Sequence, residues 1–236
     1  MRKLITGLDA IAVLRDQVLQ RTATLGAASI LAELGGADAV RVGLLEELRP
    51  VTESDVLDIR RAARQLELRM APMPTLVKSA LEARPERVLL AAETRSAGRS
   101  AGPLDFQAWG SALSPVVRTL QEAGIGVMAR IAAHPEAVKA ARHADIPAVE
   151  LDTHQIVDLP ETELEPALDA LSDAARLAAK LGLRVGLGGR LDERSAPRLL
   201  EVAPVCEWVA VGREWVGRSL LSGIDQATRD LRGRIS

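Results

Sequence analysis

Short apolar runs alternate with amphipathic stretches along the whole chain. Short apolar runs bounded by glycine or polar residues are typical of buried parallel strands. We predict eight such strands, at residues 3–8, 39–45, 66–71, 87–92, 127–132, 148–151, 184–187 and 208–211. The last two runs end on glycine, at Gly188-Gly189 and at Gly212.

Helical stretches separate these strands. One of them begins at Thr52, which is followed by acidic residues and by apolar residues three to four positions apart. Pro115 is expected to kink or break another. We predict helices at residues 27–34, after Thr52, at 106–123, 135–144, 161–181, after Gly189, and at 216–232. Eight strands alternating with helices predict an α/β fold, a (β/α)8 TIM barrel, formed by residues 1–236 as one domain.

Composition narrows the class of function. The chain has 236 residues, a net charge of −2, no tyrosine and no basic block, so we expect no nucleic-acid partner. Cys206 is the sole cysteine and the three histidines form no helical pair, so we expect no metal. An apolar run of about 18 residues and a signal-peptide pattern are both missing, so no membrane association is expected and a cytoplasmic location is the default.

The two glycine-ended strands predict an anion site. Glycine lets backbone N–H groups approach an anion, and the helix that follows adds the partial positive charge of its N-terminus. The residues concerned are Gly188, Gly189, Arg190, Gly212 and Arg213. The alternative is that these are ordinary strand–helix turns that need glycine for their geometry.

Arginines lie inside three of the predicted strands, each between apolar residues: Arg41, Arg69 and Arg130. An arginine that faced the helix layer would be buried without a partner, so we expect all three to point into the barrel. They form either a ring of ion pairs with the acids at strand ends (Asp9, Glu93, Glu150 and Asp152) or a pocket for phosphate or carboxylate. Both arrangements can coexist.

Candidates for proton transfer are few. Glu150 and Asp152 end the sixth strand and His154 follows, so we predict Asp9, Glu150 and Asp152 as acid–base residues with His154 nearby. A salt-bridged strand end is the alternative. The small polar segment at residues 94–103 leaves the fourth strand at the mouth of the barrel, where it is either an active-site lid or a solvated loop.

Segments spread over nearly the whole chain resemble one family of barrel enzymes, the pyridoxine 5′-phosphate synthases. They are LDAIAVLR (8–15), AELGGADAVRV (32–42), TESDVLDIRR (52–61), AGIGVMARI (123–131), VELDTH (149–154), AAKLGLRVGLGGRL (178–191) and VGREWVGRSLLSGI (211–224). The resemblance implies condensation of 1-deoxyxylulose 5-phosphate with 3-amino-2-oxopropyl phosphate, with loss of water and phosphate and without a metal or organic cofactor. It also implies a homo-oligomer, since the family is usually octameric.

This chain departs from the family at most of the catalytic positions that the resemblance implies. The family histidines fall at Ala10, Gly43, Pro50, Gly189 and Arg213, an arginine falls at Leu45, and the catalytic glutamate falls at Arg69. Asp9, Gly188, Gly212, Glu150 and Thr153 are retained. We therefore expect Thr153 to belong to the pocket and the proton transfers of the family to be changed.

Three functions follow from these residues. The leading hypothesis is a protein that binds a phosphorylated or carboxylated small molecule in the barrel mouth, with altered condensation or elimination chemistry. The second is a non-catalytic paralogue that binds a ligand or a partner protein. The third is ordinary pyridoxine 5′-phosphate synthase activity.

Overall fold

Eight parallel strands close into a barrel in sequence order, as predicted. The computed structural model describes residues 1–19, 23–46, 50–92 and 101–235. The strands are β1 (Lys3–Gly7), β2 (Ala39–Gly43), β3 (Leu66–Met70), β4 (Arg87–Leu90), β5 (Gly126–Ala132), β6 (Ala148–Asp152), β7 (Arg184–Gly188) and β8 (Trp208–Val211). β8 pairs with β1, where Ile5 faces Ala210, and this pairing closes the ring.

Helices surround the barrel. They are α1 (Asp9–Leu14), α2 (Leu25–Leu34), α3 (Glu53–Ala62), α4 (Pro74–Ala83), α5 (Phe106–Trp109), α6 (Leu113–Glu122), α7 (Pro135–His143), α8 (Glu161–Lys180), α9 (Ser195–Val202), α10 (Arg213–Ser222) and α11 (Ile224–Ile235). The described residues also include a π-helical turn (Arg15–Leu19) and two 3-10 turns (Gly110–Ala112 and Ile156–Asp158). Thr52 caps α3 as predicted, in a reciprocal box with Asp55.

Two predicted helices are each divided in the structure. The segment 106–123 forms α5, a 3-10 turn and α6, and it breaks at Gly110, which has a φ of 46°. Pro115 lies in the first turn of α6, where its missing N–H is tolerated. The last predicted helix divides at Gly223, whose φ of 89° favours glycine, into α10 and α11. Helices α1 and α4 were not predicted.

The core has an outer and an inner part. Aliphatic residues between the strands and the helices form the larger, outer part. A smaller cluster consists of strand residues, with Trp208 as its largest member: Ile5, Ala39, Leu89, Met128, Ala148, Trp208 and Ala210. Side chains alternate along a strand, so residues two positions further on point the same way. The charged side chains of Arg41, Arg130 and Glu150 therefore lie above this apolar plug, toward the mouth of the barrel.

Candidate functional site

A buried network of ion pairs crosses the barrel interior. Arg41 on β2 donates to Glu67 Oε2 from Nε (2.9 Å) and Nη2 (2.7 Å), and to Glu150 Oε1 from Nη1 (3.0 Å). Arg130 on β5 donates to the same Glu150 oxygen from Nη2 at 2.5 Å. Trp208 donates its indole N–H to Glu150 Oε2 at 3.2 Å. Arg41 and Arg130 thus point into the barrel, as predicted, and they form ion pairs there with Glu150, one of the four candidate acids, and with Glu67, which was not among them.

Glu150 is held in this network as a permanent anion. Burial on its own would raise the pKa of Glu150, but the charges and hydrogen bonds of Arg41 and Arg130 outweigh it and lower the pKa to about 2. The carboxylate is fully buried and both of its oxygens are engaged. These surroundings argue against the proton-transfer role predicted for Glu150, because a group of this pKa neither holds nor accepts a proton near neutral pH.

Glu67 is a member of the network that was not among the predicted site residues, and like Glu150 it pairs with two arginines. Glu67 lies on β3, is fully buried, and accepts from Arg41 and, through Oε1, from Arg87 Nε at 2.6 Å. The signal was present, because Glu67 stands between Leu66 and Leu68 in the same apolar setting as the strand arginines. Glu67 was missed because it lies near the start of β3, whereas the candidate acids were all at the carboxyl ends of strands.

Asp9 and Arg69 form a second, looser pair beside Gly43. Asp9 Oδ1 accepts the Gly43 N–H at 2.6 Å, and Arg69 Nη2 lies 3.7 Å from Asp9 Oδ2. A Cβ at position 43 would come 2.5 Å from Arg69 Nη2, so the guanidinium occupies the space that a side chain there would need. Burial lowers the pKa of Arg69; Asp9 opposes this effect, and the neighbouring charges of Arg130 and Arg41 reinforce it.

A solvent-open recess of about 620 Å³ lies at the carboxyl ends of the strands. Among the residues that the structure describes, five arginines and a single acid line it, together with small residues: Arg41, Arg69, Arg130, Arg190, Arg213, Asp9, Gly7, Ala10, Gly189, Ala210, Val211 and Gly212. The recess therefore brings together most of the residues predicted for the anion site and the pocket.

Two of the predicted anion-site residues differ from the others. A Cβ at Gly188 would lie 2.2 Å from Glu150 Oε1, so this glycine makes room for the Glu150 carboxylate and is not among the lining residues. Arg190 is already paired with Asp158 and with Glu214 Oε1 (3.2 Å).

Arg213, the exposed first residue of α10, makes no ion pair or hydrogen bond within the described residues. Its guanidinium is available to a ligand.

The end of β6 lies against the β7 turn. Thr153 donates from Oγ1 to Gly189 O at 2.7 Å and from its backbone N–H to Gly188 O at 3.0 Å, so it fixes this turn. Asp152 Oδ1 and His154 Nδ1 are buried without a hydrogen-bond partner in the described part of the chain. Burial raises the pKa of Asp152, with the charges of Arg130 and His154 opposing it. A Cβ at Gly189 would lie 2.6 Å from Asp152 Oδ1, which places this carboxylate next to the recess.

Other predictions concern features that the structure describes only in part. Glu93 and most of the segment 94–103 lie outside the described residues, although Arg130 Nη1 donates to Ala101 O at 2.9 Å. Among the described residues, no group of three or more His, Cys, Asp or Glu side chains is arranged to hold a metal ion. A search of the same residues found no helix that is both long and apolar enough to span a membrane.

Fold and site together define a (β/α)8-barrel protein with a cationic recess at the carboxyl ends of its strands. Residues 4–236 match the model of the family described as "Pyridoxal phosphate biosynthesis protein PdxJ", and the chain belongs to that family. The pyridoxine 5′-phosphate synthase of Thermosynechococcus vestitus is 36% identical over 212 residues, 89% of each chain. That of Idiomarina loihiensis is 31% identical over 233 residues, 98% of this chain and 96% of its own.

Solved structures of lower identity share the fold. Thiamine phosphate pyrophosphorylase from Pyrococcus furiosus superimposes with a TM-score of 0.62 at 14% identity, over 99% of this chain and 95% of that one. Tryptophan synthase from M. tuberculosis gives a TM-score of 0.65 at 14% identity, over 100% of this chain and 94% of that one. At this identity they support the barrel fold and nothing further.

Proposed function

We propose that this protein binds a phosphorylated or carboxylated small molecule at the mouth of its barrel and catalyses a condensation or elimination that differs from that of pyridoxine 5′-phosphate synthase. The observation that carries the proposal is the lining of the recess, where the described residues include five arginines and one acid. Arg41 and Arg130 are neutralised by Glu67 and Glu150. Arg190 is paired with Asp158 and Glu214, and Arg69 lies 3.7 Å from Asp9. Arg213 makes no ion pair with another described residue, so its charge in this concave site favours an anionic ligand.

The phosphate is expected at the turns after β7 and β8. Gly189 and Gly212 line the recess there, and α10 begins at Arg213. Backbone N–H groups at the start of a ten-residue helix are suited to a phosphate, and so is the Arg213 guanidinium, which no described residue pairs with. The relatives are named for a phosphorylated compound, which agrees with this assignment.

Asp152 is the acid–base residue that we favour. Its pKa is raised by burial, one of its oxygens has no partner among the described residues, and it adjoins Gly189, where the family resemblance puts a histidine. Asp9 is tied to the Gly43 N–H and faces Arg69, so we assign it to positioning Arg69. We assign Glu150 to holding Arg41 and Arg130 in place.

The test is a thermal-shift titration of the full chain with inorganic phosphate and with pyridoxine 5′-phosphate. A ligand at about 100 times its Kd should add roughly 2.7 kcal/mol to the free energy of unfolding. Arg213→Ala should lose most of this stabilisation, because it removes the unpaired cation at the start of α10. Arg118→Ala, an exposed arginine on α6 that is not in the recess, is the matched control and should respond like the wild type. If the Arg213 variant is stabilised by these ligands as much as the wild type is, the assignment of a phosphate site at this position is wrong.

The pH dependence of stability tests the state of Asp152. Because its folded pKa is raised, ionisation of Asp152 costs stability as the pH rises from the ordinary aspartate range through the folded value. Asp152→Asn should therefore gain stability relative to the wild type on going from about pH 3 to pH 7. Urea denaturation at both pH values measures this difference. Asp173→Asn, at an exposed position on α8, should show no such gain; an equal change in the two variants would contradict the raised pKa.

A further inference from the structure

Arg69 differs from the other arginines of the barrel interior in having few partners. Arg41 and Arg130 each donate several hydrogen bonds to buried carboxylates. The side chain of Arg69 is only 12% exposed, yet its one ion pair is with Asp9 at 3.7 Å, and it donates no hydrogen bond within the described residues. A guanidinium carries five N–H donors, and leaving donors of a charged group unsatisfied is costly. Arg69 thus has donors at the wall of the recess that no described residue uses.

Asp9 lies too far from Arg69 to accept a hydrogen bond from its guanidinium. Asp9 Oδ1 is held at 2.6 Å by the Gly43 N–H, which fixes the carboxylate at its distance from the guanidinium. Gly43 in turn has no side chain, and the Arg69 guanidinium fills the space above its backbone. The charges of Arg130 and Arg41 also act on Arg69 from the same interior, and the charge of Glu150 opposes them.

β3 stands opposite β7 in the closed ring of eight strands. Arg69 on β3 and the Gly189 turn after β7 therefore lie on opposite sides of the recess, and both line it. A single phosphate at the Gly189–Arg213 end leaves Arg69 unsatisfied. A ligand with a second anionic group satisfies both ends.

We propose that Arg69 is a specificity-determining residue that binds a carboxylate of the ligand, so that the substrate class of this protein is a phosphorylated carboxylic acid. This inference rests on the proposed function, since it assumes the phosphate at the opposite end. A carboxylate fits better than a second phosphate for two reasons. Its planar oxygens match the fork of a guanidinium. Its single charge is repelled less by the nearby Asp9 carboxylate than a phosphate dianion would be.

The experiment is isothermal titration at neutral pH with pairs of probes that differ only in the carboxylate. Phosphonoacetate, 3-phosphonopropionate and 4-phosphonobutyrate are compared with ethyl-, propyl- and butylphosphonate. The wild type should bind at least one phosphonocarboxylate about tenfold or more tightly than its alkyl partner, as expected for a charge-assisted hydrogen-bonded pair. Arg69→Met should abolish this ratio and leave the affinity for the alkylphosphonate within about twofold of the wild type. Arg69→Lys, which keeps the charge but loses the fork, should lower the ratio and keep part of it.

The outcomes separate this inference from the proposed function. Equal affinities of the wild type for all three pairs would overturn the role of Arg69 while leaving the phosphate site intact. Loss of phosphonate binding in Arg213→Ala, together with a retained ratio in the Arg69 variants, would do the same. Failure of the wild type to bind any phosphonate or inorganic phosphate would overturn the proposed function itself. If Arg69→Met does not fold, the wild-type ratio and the Arg69→Lys variant decide the question.

Discussion

Glu150→Ala is expected to lower the free energy of unfolding by about 3–5 kcal/mol, the largest stability effect that we expect of any single site residue. Glu150 is fully buried, and its two oxygens receive donors from Arg41, Arg130 and Trp208. Removal of the carboxylate deprives Arg130 of the acceptor of its Nε and Nη2 hydrogen bonds and takes one of its two carboxylates from Arg41. Buried positive charge then loses its closest anion, which is the situation that makes a broken interior ion pair costly.

Urea denaturation measures this effect, and an exposed ion pair supplies the control. Glu207 accepts from Arg184 at 2.6 Å, but both side chains are about half exposed, so Glu207→Ala should cost only about 0–1 kcal/mol. Similar midpoints for the two variants would contradict the structural role of Glu150.

The contribution of Glu150 to stability should also depend on pH, in the direction opposite to that expected for Asp152. Because the folded pKa of Glu150 is lowered to about 2, its contribution is complete above the ordinary value of 4.5 and is lost as the pH falls toward 2.

The inward orientation of the strand arginines could be predicted from the sequence because the physical alternative is so unfavourable. Arg41 and Arg130 stand between residues that must face the helix layer, and a guanidinium has no partner there. The barrel itself followed from the alternation of apolar runs and amphipathic stretches, which is a local signal repeated eight times.

The pairing of these charges could not be predicted in the same way. Arg41 and Glu150 are 109 residues apart and meet only because the sheet closes on itself. The pairing of β6 with β7 places Gly188 beside the Glu150 carboxylate, although the sequence suggested a contact with phosphate. Local signals failed in a different way at Gly110 and Gly223, where a positive φ divides a helix whose apolar spacing looked continuous. A pattern of hydrophobic positions predicts neither the packing between distant strands nor the backbone angle of a single residue.

A strain unable to make pyridoxine 5′-phosphate should not grow when this chain is its only synthase. At four places where the family resemblance puts acid–base residues, the chain has Gly43, Arg69, Gly189 and Arg213. One positioned acid or base typically contributes about 10²–10⁴ to a rate, so losing several should reduce the family reaction by more than about 10⁴. Growth without added pyridoxine, together with phosphate release by the purified protein from the two family substrates, measures the effect. The synthase of Thermosynechococcus vestitus, expressed from the same vector, is the positive control.

The structure also predicts which reversions can be made singly. A side chain at position 43 would come 2.5 Å from Arg69 Nη2, so Gly43→His should displace the Arg69 guanidinium from its place beside Asp9. Gly189→His meets Asp152 Oδ1 at 2.6 Å and a φ of 121°, so it should destabilise the turn after β7 unless the backbone there also moves. The side chains that can stand at these positions are therefore coupled through space. Growth of the unmodified chain would show that the family reaction survives through other residues, and the proposal of changed chemistry would then fall.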